Sequence, residues 1–270
     1  MIYRVIALVT LAHVGAAYAC HIAARALLGD AAPGVSRWIY LFLVVDAIVL
    51  VGMLERRAPL FGRIWWRGSV ARAAVALTFD DGPTEPNTTQ ILDVLKRHGV
   101  KATFFVLGAN AERHPDVVRR IVAEGHEIGN HTYDHYVLPL KGPGHIRSQI
   151  RRTSDLIERA SGTRPTLFRP PHGWRNPFVD SSARAEGVEP VAWSLGVYDT
   201  DQPGPEVIRR RVRDGLVNGA VILLHDGKSL EPQPDASQVV QALPGIIADA
   251  RQKGLAFETL SQMRAAEGGR

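Results

Sequence analysis

The distribution of apolar residues divides the chain into two parts. Residues 5–24 and 38–54 form two long, nearly unbroken apolar runs, separated by a polar turn at residues 30–36. A helix that crosses a bilayer needs about 20 apolar residues, so the first part, residues 1–54, predicts an N-terminal transmembrane helical hairpin. From residue 73 onward, short apolar runs alternate with stretches of helical periodicity, which is typical of an α/β domain.

The first apolar run is open to other interpretations. Residues 17–19, Ala-Tyr-Ala, have the small-x-small pattern of a signal peptide cleaved after Ala19, and a lipoprotein signal would use Cys20. A third alternative is that both runs are buried helices of a soluble domain. The hairpin is favoured because a second apolar run follows at once, and because Trp38 and Tyr40 near its start are typical of a membrane interface.

The charge distribution also favours a membrane anchor. The whole net charge of +5 lies in residues 1–72, whereas acidic and basic side chains balance in the rest of the chain. A basic face for nucleic acid is therefore not indicated. Residues 55–72 form a basic linker after the second apolar run, and the positive-inside rule then predicts both termini on the cytoplasmic side of a multi-pass inner-membrane protein. Near the middles of the two runs, His13 and Asp46 could meet. A structural pair or a contact with a partner subunit is favoured over a lipid-headgroup or proton site.

The second part of the chain predicts parallel strands, in a barrel or in a doubly wound sheet. Seven strands are predicted at residues 75–79, 102–106, 127–130, 166–168, 190–193, 221–224 and 255–257. Six helices are predicted at residues 88–98, 116–124, 145–160, 177–185, 205–216 and 237–253.

Carboxylates and imidazoles follow several of these strands. Asp80 and Asp81 come after the first strand, His131 and His135 after the third, and His225 after the sixth. Because the carboxyl ends of parallel strands meet at one edge, these side chains are expected to form one site. The four-residue spacing would let two histidines of one helical turn bind one metal ion. Thr follows the first of them where an HExxH protease needs Glu, so that class is excluded.

These segments resemble the motifs of the polysaccharide deacetylases of carbohydrate esterase family four, the NodB-homology domain. The resemblance rests on residues 78–82 (Thr-Phe-Asp-Asp-Gly), residues 131–135 (His-Thr-Tyr-Asp-His) and residues 223–226 (Leu-Leu-His-Asp). It implies a distorted barrel of seven or eight β/α units over residues 73–265, and an enzyme that removes an acyl group from an N-acylated amino sugar.

The resemblance also implies a metal and a base. Asp81, His131 and His135 match the family's metal ligands, and this set suits zinc, although cobalt, nickel and iron are also possible. Asp80 matches the general base, and Arg169 matches the arginine that keeps this base charged and oriented.

Four further positions match other family roles. His225 matches the general acid, and Asp199 matches the carboxylate that favours its protonated ring. The peptide N–H of His172 matches the oxyanion donor. Leu223 matches an apolar residue of the acetyl pocket.

The sequence departs from the family pattern in two places. The third motif has His172 in place of Tyr. The fourth motif retains Asp199 but lacks its first Asp and its Trp, which normally forms one side of the substrate groove. Trp174 and Trp193 could supply an aromatic surface instead, with core packing an equal alternative for Trp193.

Two functional classes follow. The first is a metal-dependent hydrolase that acts on an N-acetylated glycan, either a polysaccharide such as peptidoglycan or a lipid-linked amino sugar at the membrane. The second is a non-catalytic, membrane-bound subunit for glycan binding or assembly. The retention of both Asp80 and His225 favours the enzyme. The sequence indicates no particular protein partner.

Overall fold

The structure is a computed structural model that describes residues 15–16, 18–23, 25–27 and 32–268. The first predicted membrane segment lies only partly within these residues, and His13 lies outside them. The second segment belongs to helix α1, Ala32–Leu54. Across the described part of the chain, no helix has the length and apolarity that a membrane crossing requires. The predicted transmembrane hairpin is therefore not confirmed.

The predicted α/β class is confirmed, with one curled, all-parallel sheet in the order β5-β4-β3-β2-β1-β7-β6, and β8 paired with the start of β1. The strands are β1 (Ala74–Asp80), β2 (Thr103–Val106), β3 (Glu127–Asn130), β4 (Leu167–Phe168), β5 (Glu189–Pro190), β6 (Leu195–Gly196), β7 (Val221–His225) and β8 (Ala256–Phe257). The two-residue strand β6 is additional to the prediction, because so short a segment leaves no apolar run in the sequence.

The central strand β1 is buried along its whole length. Successive side chains of a strand point to opposite faces. Val75, Leu77 and Phe79 pack in the cluster shared with the surrounding helices, whereas Ala74 and Ala76 pack inside the curl of the sheet. The same alternation directs Asp80, at the last position of the strand, towards the interior of the curl.

The sheet is completed by backbone contacts between its two edges. Residues 191–194 run from β5 at one edge to β6 at the other, and the N–H of Ser194 donates to the carbonyl of Val221 at 3.1 Å. Trp65 pairs with Val191 in parallel, and its carbonyl accepts the N–H of Ala192 at 2.8 Å. The interior of the curl is therefore lined on this side by a segment that precedes the first strand.

The helices that follow α1 match the six predicted segments closely and add two. They are α2 (Asn87–His98), α3 (Gly108–Arg113), α4 (Pro115–Ala123), α5 (Pro143–Ser161), α6 (Val179–Ala185), α7 (Pro205–Gly215), α8 (Ser237–Gln252) and α9 (Leu260–Gly268). The additional helices are α3 and α9. Helix α9 begins with a capping box, because the N–H of Thr259 donates to Gln262 Oε1 at 3.0 Å and the N–H of Gln262 donates to Thr259 Oγ1 at 3.4 Å.

The segment predicted as a basic linker, residues 55–72, packs on the domain. Arg175 is buried, and its guanidinium donates to the carbonyls of Ala58 (2.7 Å) and Gly62 (3.0 Å). Its own N–H donates to the carbonyl of Met53 at 2.9 Å, near the end of α1. Because Arg175 follows β4, these contacts hold the end of α1 at the edge of the sheet where the parallel strands end.

Candidate active site

The polar residues that follow the strands come together at one edge of the sheet. Asp80 is in register with Phe105 of β2 on one side and with His225 of β7 on the other. The neighbouring strand β3 ends at Asn130, immediately before His131. Three loops that are far apart in the sequence therefore meet above the carboxyl ends of adjacent strands.

Asp81, His131 and His135 can each offer one ligand atom, and these atoms lie within 4.8 Å of one another. Asp81 Oδ1 lies 3.4 Å from His131 Nε2 and 3.2 Å from His135 Nε2. This oxygen is buried and has no hydrogen-bond partner among the described residues. Two imidazole nitrogens and one carboxylate oxygen are a donor set that suits zinc and leaves positions for water and substrate. The residues present therefore fit a divalent metal ion.

The electrostatics also suit metal ligands. Burial alone would raise the pKa of Asp81, but the imidazole of His131 and the charge of His135 outweigh it, so this pKa lies well below its usual range. Burial lowers the pKa of His135 to about 3, although Asp81 acts in the opposite direction. The carboxyl is thus charged and this imidazole neutral near pH 7, and these are the forms that bind metals.

The loop that bears the two histidines differs from the expected helical turn. Residues 131–135 are irregular, with positive φ at Thr132 (69°) and His135 (58°). Its shape is fixed by polar contacts, since Gln149 Oε1 accepts the N–H groups of Tyr133 (2.9 Å) and Asp134 (3.2 Å). The two imidazoles still face each other, with ring centroids 5.2 Å apart. The four-residue spacing therefore brings them together through a loop.

The first histidine is oriented from behind by the next loop. His131 Nδ1 lies 2.7 Å from the carbonyl oxygen of Arg169. A carbonyl can only accept a hydrogen bond, so Nδ1 carries the proton and Nε2 presents its lone pair towards Asp81.

Asp80 and Arg169 form a buried ion pair beside the metal ligands. Arg169 Nη1 donates to Asp80 Oδ1 at 2.6 Å and to Thr78 Oγ1 at 2.8 Å, and Nη2 donates to the carbonyl of Ala192 at 3.0 Å. The guanidinium carbon lies 4.1 Å from the centre of the Phe105 ring. Asp80 Oδ2, the oxygen that Arg169 leaves accessible, lies 3.8 Å from His131 Nε2. The carboxylate is therefore held in place, with one oxygen directed at the metal ligands.

Asp199 and His225 form a second pair on the other side of Asp80. His225 Nδ1 lies 2.9 Å from Asp199 Oδ1, and the backbone N–H of His225 donates to Asp199 Oδ2 at 2.8 Å. Burial would lower the pKa of His225, but the charge and hydrogen bond of Asp199 outweigh it and raise this pKa to about 10. The ring is therefore protonated at neutral pH and able to give up a proton from Nε2.

His172 and Trp174 lie beside the metal ligands. His172 has a φ of 60° in a short 3-10 turn after β4, and its ring centroid is 4.7 Å from that of His135 and 4.6 Å from that of Trp174. The side chain of His172 is exposed at the mouth of the site.

Trp193 and Leu223 lie deeper. Trp193 is 9% exposed and packs in the interior cluster, under the guanidinium of Arg56 at 4.6 Å. Leu223 is 8% exposed, belongs to the same cluster and is in register with Gly196. Trp193 thus contributes to the floor of the site, and it offers little surface to a polymer.

Two further residues contact the metal-ligand loops and were missed in the sequence. Asn110 Nδ2 donates to the backbone carbonyl of Asp81 at 2.7 Å. The N–H of Ser229 donates to Asp81 Oδ2 at 2.8 Å, and its hydroxyl lies 3.1 Å from His135 Nδ1. Both residues lie outside the motifs, and only the tertiary fold brings them to the ligands.

Comparison with known proteins decides the family. Residues 67–191 match the family model of polysaccharide deacetylases. The chain is 40% identical over 196 residues to a peptidoglycan-N-acetylglucosamine deacetylase of Bacillus cereus, which covers 73% of this chain and 70% of that protein. The chain belongs to the polysaccharide deacetylase family. The resemblance drawn from its motifs is therefore confirmed.

Members of the polysaccharide deacetylase family are named for different substrates, and one is named as a pseudoenzyme. A chitooligosaccharide deacetylase of Bradyrhizobium is 36% identical over 198 residues, covering 70% of this chain and 90% of that protein. The crystal structure of a CE4 family pseudoenzyme from Bacillus anthracis matches with a TM-score of 0.68 and 27% identity, covering 73% of this chain and 67% of that one. The fold alone therefore does not decide whether a member is catalytic, and the site residues have to be considered.

Proposed function

We propose that this protein is a metal-dependent deacetylase that hydrolyses the N-acyl bond of an amino sugar in a glycan. The observation that carries the proposal is the convergence of three separate units at one sheet edge: the possible metal ligands, the Asp80–Arg169 pair and the Asp199–His225 pair. A pure binding protein would have no use for a held carboxylate and a protonated imidazole on opposite sides of one metal site.

The roles of the side chains follow from their charges. When bound by Asp81, His131 and His135, a divalent metal would polarise the acyl carbonyl and acidify water. Asp80, held by its ion pair with Arg169, would accept a proton from the attacking water. The peptide N–H of His172 would donate to the oxygen on which charge develops.

Collapse of the tetrahedral intermediate requires a proton for the departing nitrogen. His225 would donate it from Nε2, while Asp199 holds the other side of the ring and stabilises the cation. In this scheme the water supplies its hydroxyl to the acyl carbon, and the products are a carboxylate and the free amine of the sugar. Leu223 would contact the methyl group of the acyl chain.

The test is acetate release from N-acetylglucosamine oligomers by the detergent-purified full chain. Release should stop with a chelator and return with zinc. The Asp81→Ala variant should lose both bound metal and activity, whereas Asp116→Ala, which removes an exposed aspartate, should retain both. Full activity and metal content in Asp81→Ala would contradict the proposal.

We further propose that the N-terminal segment attaches the enzyme to the inner membrane, with the domain on the cytoplasmic side. Support comes from α1, on which apolar side chains are exposed, including Trp38 (73%), Phe42 (70%) and Ile48 (53%). The arginines of residues 56–72 follow this helix directly. The test is a fusion, after residue 270, of a reporter that is active only outside the cytoplasm. Activity of this fusion would contradict the orientation.

The position of α1 supports a substrate at the membrane surface. Its end contacts the domain at the catalytic edge, where Arg56 Nε donates to the carbonyl of Trp193 at 3.0 Å and Arg175 holds Met53. An amino sugar linked to a lipid would therefore be presented close to the metal ligands. The measurement is the ratio of kcat/KM for a lipid-linked N-acetylated sugar and for the soluble oligomer. A higher kcat/KM for the soluble oligomer, measured with the enzyme in membranes, would contradict a lipid-linked substrate.

The alternative is a non-catalytic subunit for glycan binding or assembly. The loss of half of the fourth motif and the similarity to a pseudoenzyme favour it. The intact pairs of Asp80 with Arg169 and of Asp199 with His225 weigh against it. Glycan binding without acetate release, by protein loaded with zinc, would favour the alternative.

A further inference from the structure

Ser229 contacts two of the three possible metal ligands at once. It lies in the loop after β7, and its partners Asp81 and His135 lie in loops 148 and 94 residues away. Its backbone N–H donates to Asp81 Oδ2 at 2.8 Å, and its side-chain oxygen lies 3.1 Å from His135 Nδ1. The third possible ligand, His131, is oriented by a different group, the carbonyl of Arg169.

Each contact selects the atom that faces the metal position. The amide of Ser229 holds Oδ2 of Asp81, so Oδ1 is left towards the two imidazoles. The hydroxyl of Ser229 can accept the Nδ1 proton of His135, which leaves the lone pair on Nε2. Contacts behind metal ligands fix the tautomer and orientation of the ring in this way.

The loop is shaped to hold this serine in place. Ser229 has a φ of 47°, a backbone conformation that residues other than glycine seldom adopt. Gly227 packs against the ligand loop so closely that a Cβ there would lie 2.4 Å from the carbonyl oxygen of Asp81. Asp226 is buried between the loops and accepts the hydroxyl of Thr88 at 2.6 Å. The position of Ser229 is thus set by packing on both sides.

We propose that Ser229 is a positioning residue that orients Asp81 and His135 for the metal ion. The inference rests on the proposed function, because it assumes that these residues bind a metal. It assigns to the hydroxyl the orientation of His135, and to the backbone amide the choice of oxygen on Asp81. In this assignment Ser229 acts through Asp81 and His135.

The test separates the hydroxyl from the backbone conformation. Ser229→Ala removes the hydroxyl at a residue with positive φ, and Ser229→Gly removes it where glycine favours that φ. Both variants retain the amide that holds Asp81. Ser148→Ala, on the exposed face of α5, is the matched control. Zinc affinity is measured on the full chain by competition with a chromophoric chelator, and thermal unfolding of the metal-free proteins checks the fold.

Zinc affinity should fall about 10- to 100-fold in both Ser229 variants, the usual effect of losing such a contact, and should not change in the control. The cobalt-substituted variants should also show altered visible absorption, since the orientation of His135 changes. Wild-type zinc affinity in Ser229→Gly would overturn the inference, even if Ser229→Ala were weakened, because only strain would then be lost. If the wild-type chain binds no zinc, the proposed function fails together with the inference.

Discussion

Two histidines of the same site lie in opposite electrostatic environments. Burial among other imidazoles lowers the pKa of His135 to about 3, although Asp81 acts against it. Burial acts in the same direction on the half-buried His225, yet Asp199 outweighs it through a charge and a hydrogen bond and raises the pKa of this ring to about 10. The carboxylate beside His135, that of Asp81, is shared with the imidazole of His131. Both oxygens of Asp199, in contrast, are directed at His225.

The difference shows how one residue type can serve two functions in one site. An imidazole that binds a metal must be neutral, whereas an imidazole that acts as a general acid must be protonated. Neither state follows from imidazole itself, whose ordinary pKa lies near 6.5. Burial lowers the pKa of both rings, and it is outweighed only at His225, where Asp199 supplies a charge and a hydrogen bond. Substitutions on the two sides should therefore have different consequences for the metal.

The largest effect is expected on the metal side. His135→Ala removes one of three ligands, so the site should lose its zinc, and kcat/KM should fall by about 10⁴-fold or more, at or beyond the upper range for a lost acid or base. Metal content after gel filtration and acetate release are the measurements. His98→Ala, which removes a half-buried histidine at the end of α2, outside the site, should leave both unchanged. Stoichiometric zinc in His135→Ala would show that the ligand set is wrong.

The acid side should lose activity and keep its metal. His225→Ala should lower kcat/KM by about 10³-fold, within the range for general acid–base catalysis, because no group remains to protonate the departing nitrogen. Zinc content should equal that of the wild type, since no ligand is touched. The comparison fails if this variant loses zinc as readily as His135→Ala does.

Much of this comparison could be predicted from the sequence. The polar residues of the site follow apolar runs that are short enough to be strands of a parallel sheet, and such strands end at one edge. These residues are Asp80, Asp81, His131, His135 and His225. The order of residues along each strand also directs Asp80 inward. The roles of these residues came from the family motifs, because position and spacing alone indicated only a shared edge and a pair of histidines able to bind one metal ion.

What the sequence could not supply depends on contacts between distant segments. Ser229 has no local signal, since its importance comes from the approach of its loop to Asp81 and His135. Residues 55–72 read as a basic linker because their charges are visible in the sequence, whereas their packing against Arg175 and Val191 is not. The capping box that begins at Thr259 was a usable signal for α9.

A smaller effect, which grows as the pH rises above about 6.5, should follow from removing the charge beside the acid. In Asp199→Asn, the pKa of His225 should fall from about 10 towards its ordinary value near 6.5. Because the protonated ring is the active form, activity should decrease at high pH, and in Asp199→Asn this decrease should occur at a lower pH than in the wild type. At pH 8 the protonated fraction alone predicts a decrease of about 30-fold.

The measurement for Asp199→Asn is the pH profile of kcat/KM between pH 5 and pH 10.5. The acidic limb should not move, since it does not depend on His225. A matched control is Asp214→Asn, which removes an exposed carboxylate at the end of α7. An alkaline limb that stays in place would show that Asp199 does not set the charge of His225.

The smallest effect is expected at His172, where the proposed contribution comes from the backbone. His172→Tyr restores the residue common in the family, and its exposed side chain should change kcat/KM by only about twofold, as for a typical surface substitution of about 0.5 kcal/mol. Gly173→Ala is the contrast, because its φ is +70° and its Cβ would lie 2.9 Å from the Trp193 ring, so the peptide would have to shift. Acetate release should therefore fall further in Gly173→Ala than in His172→Tyr, and the reverse order would assign the contribution to the imidazole.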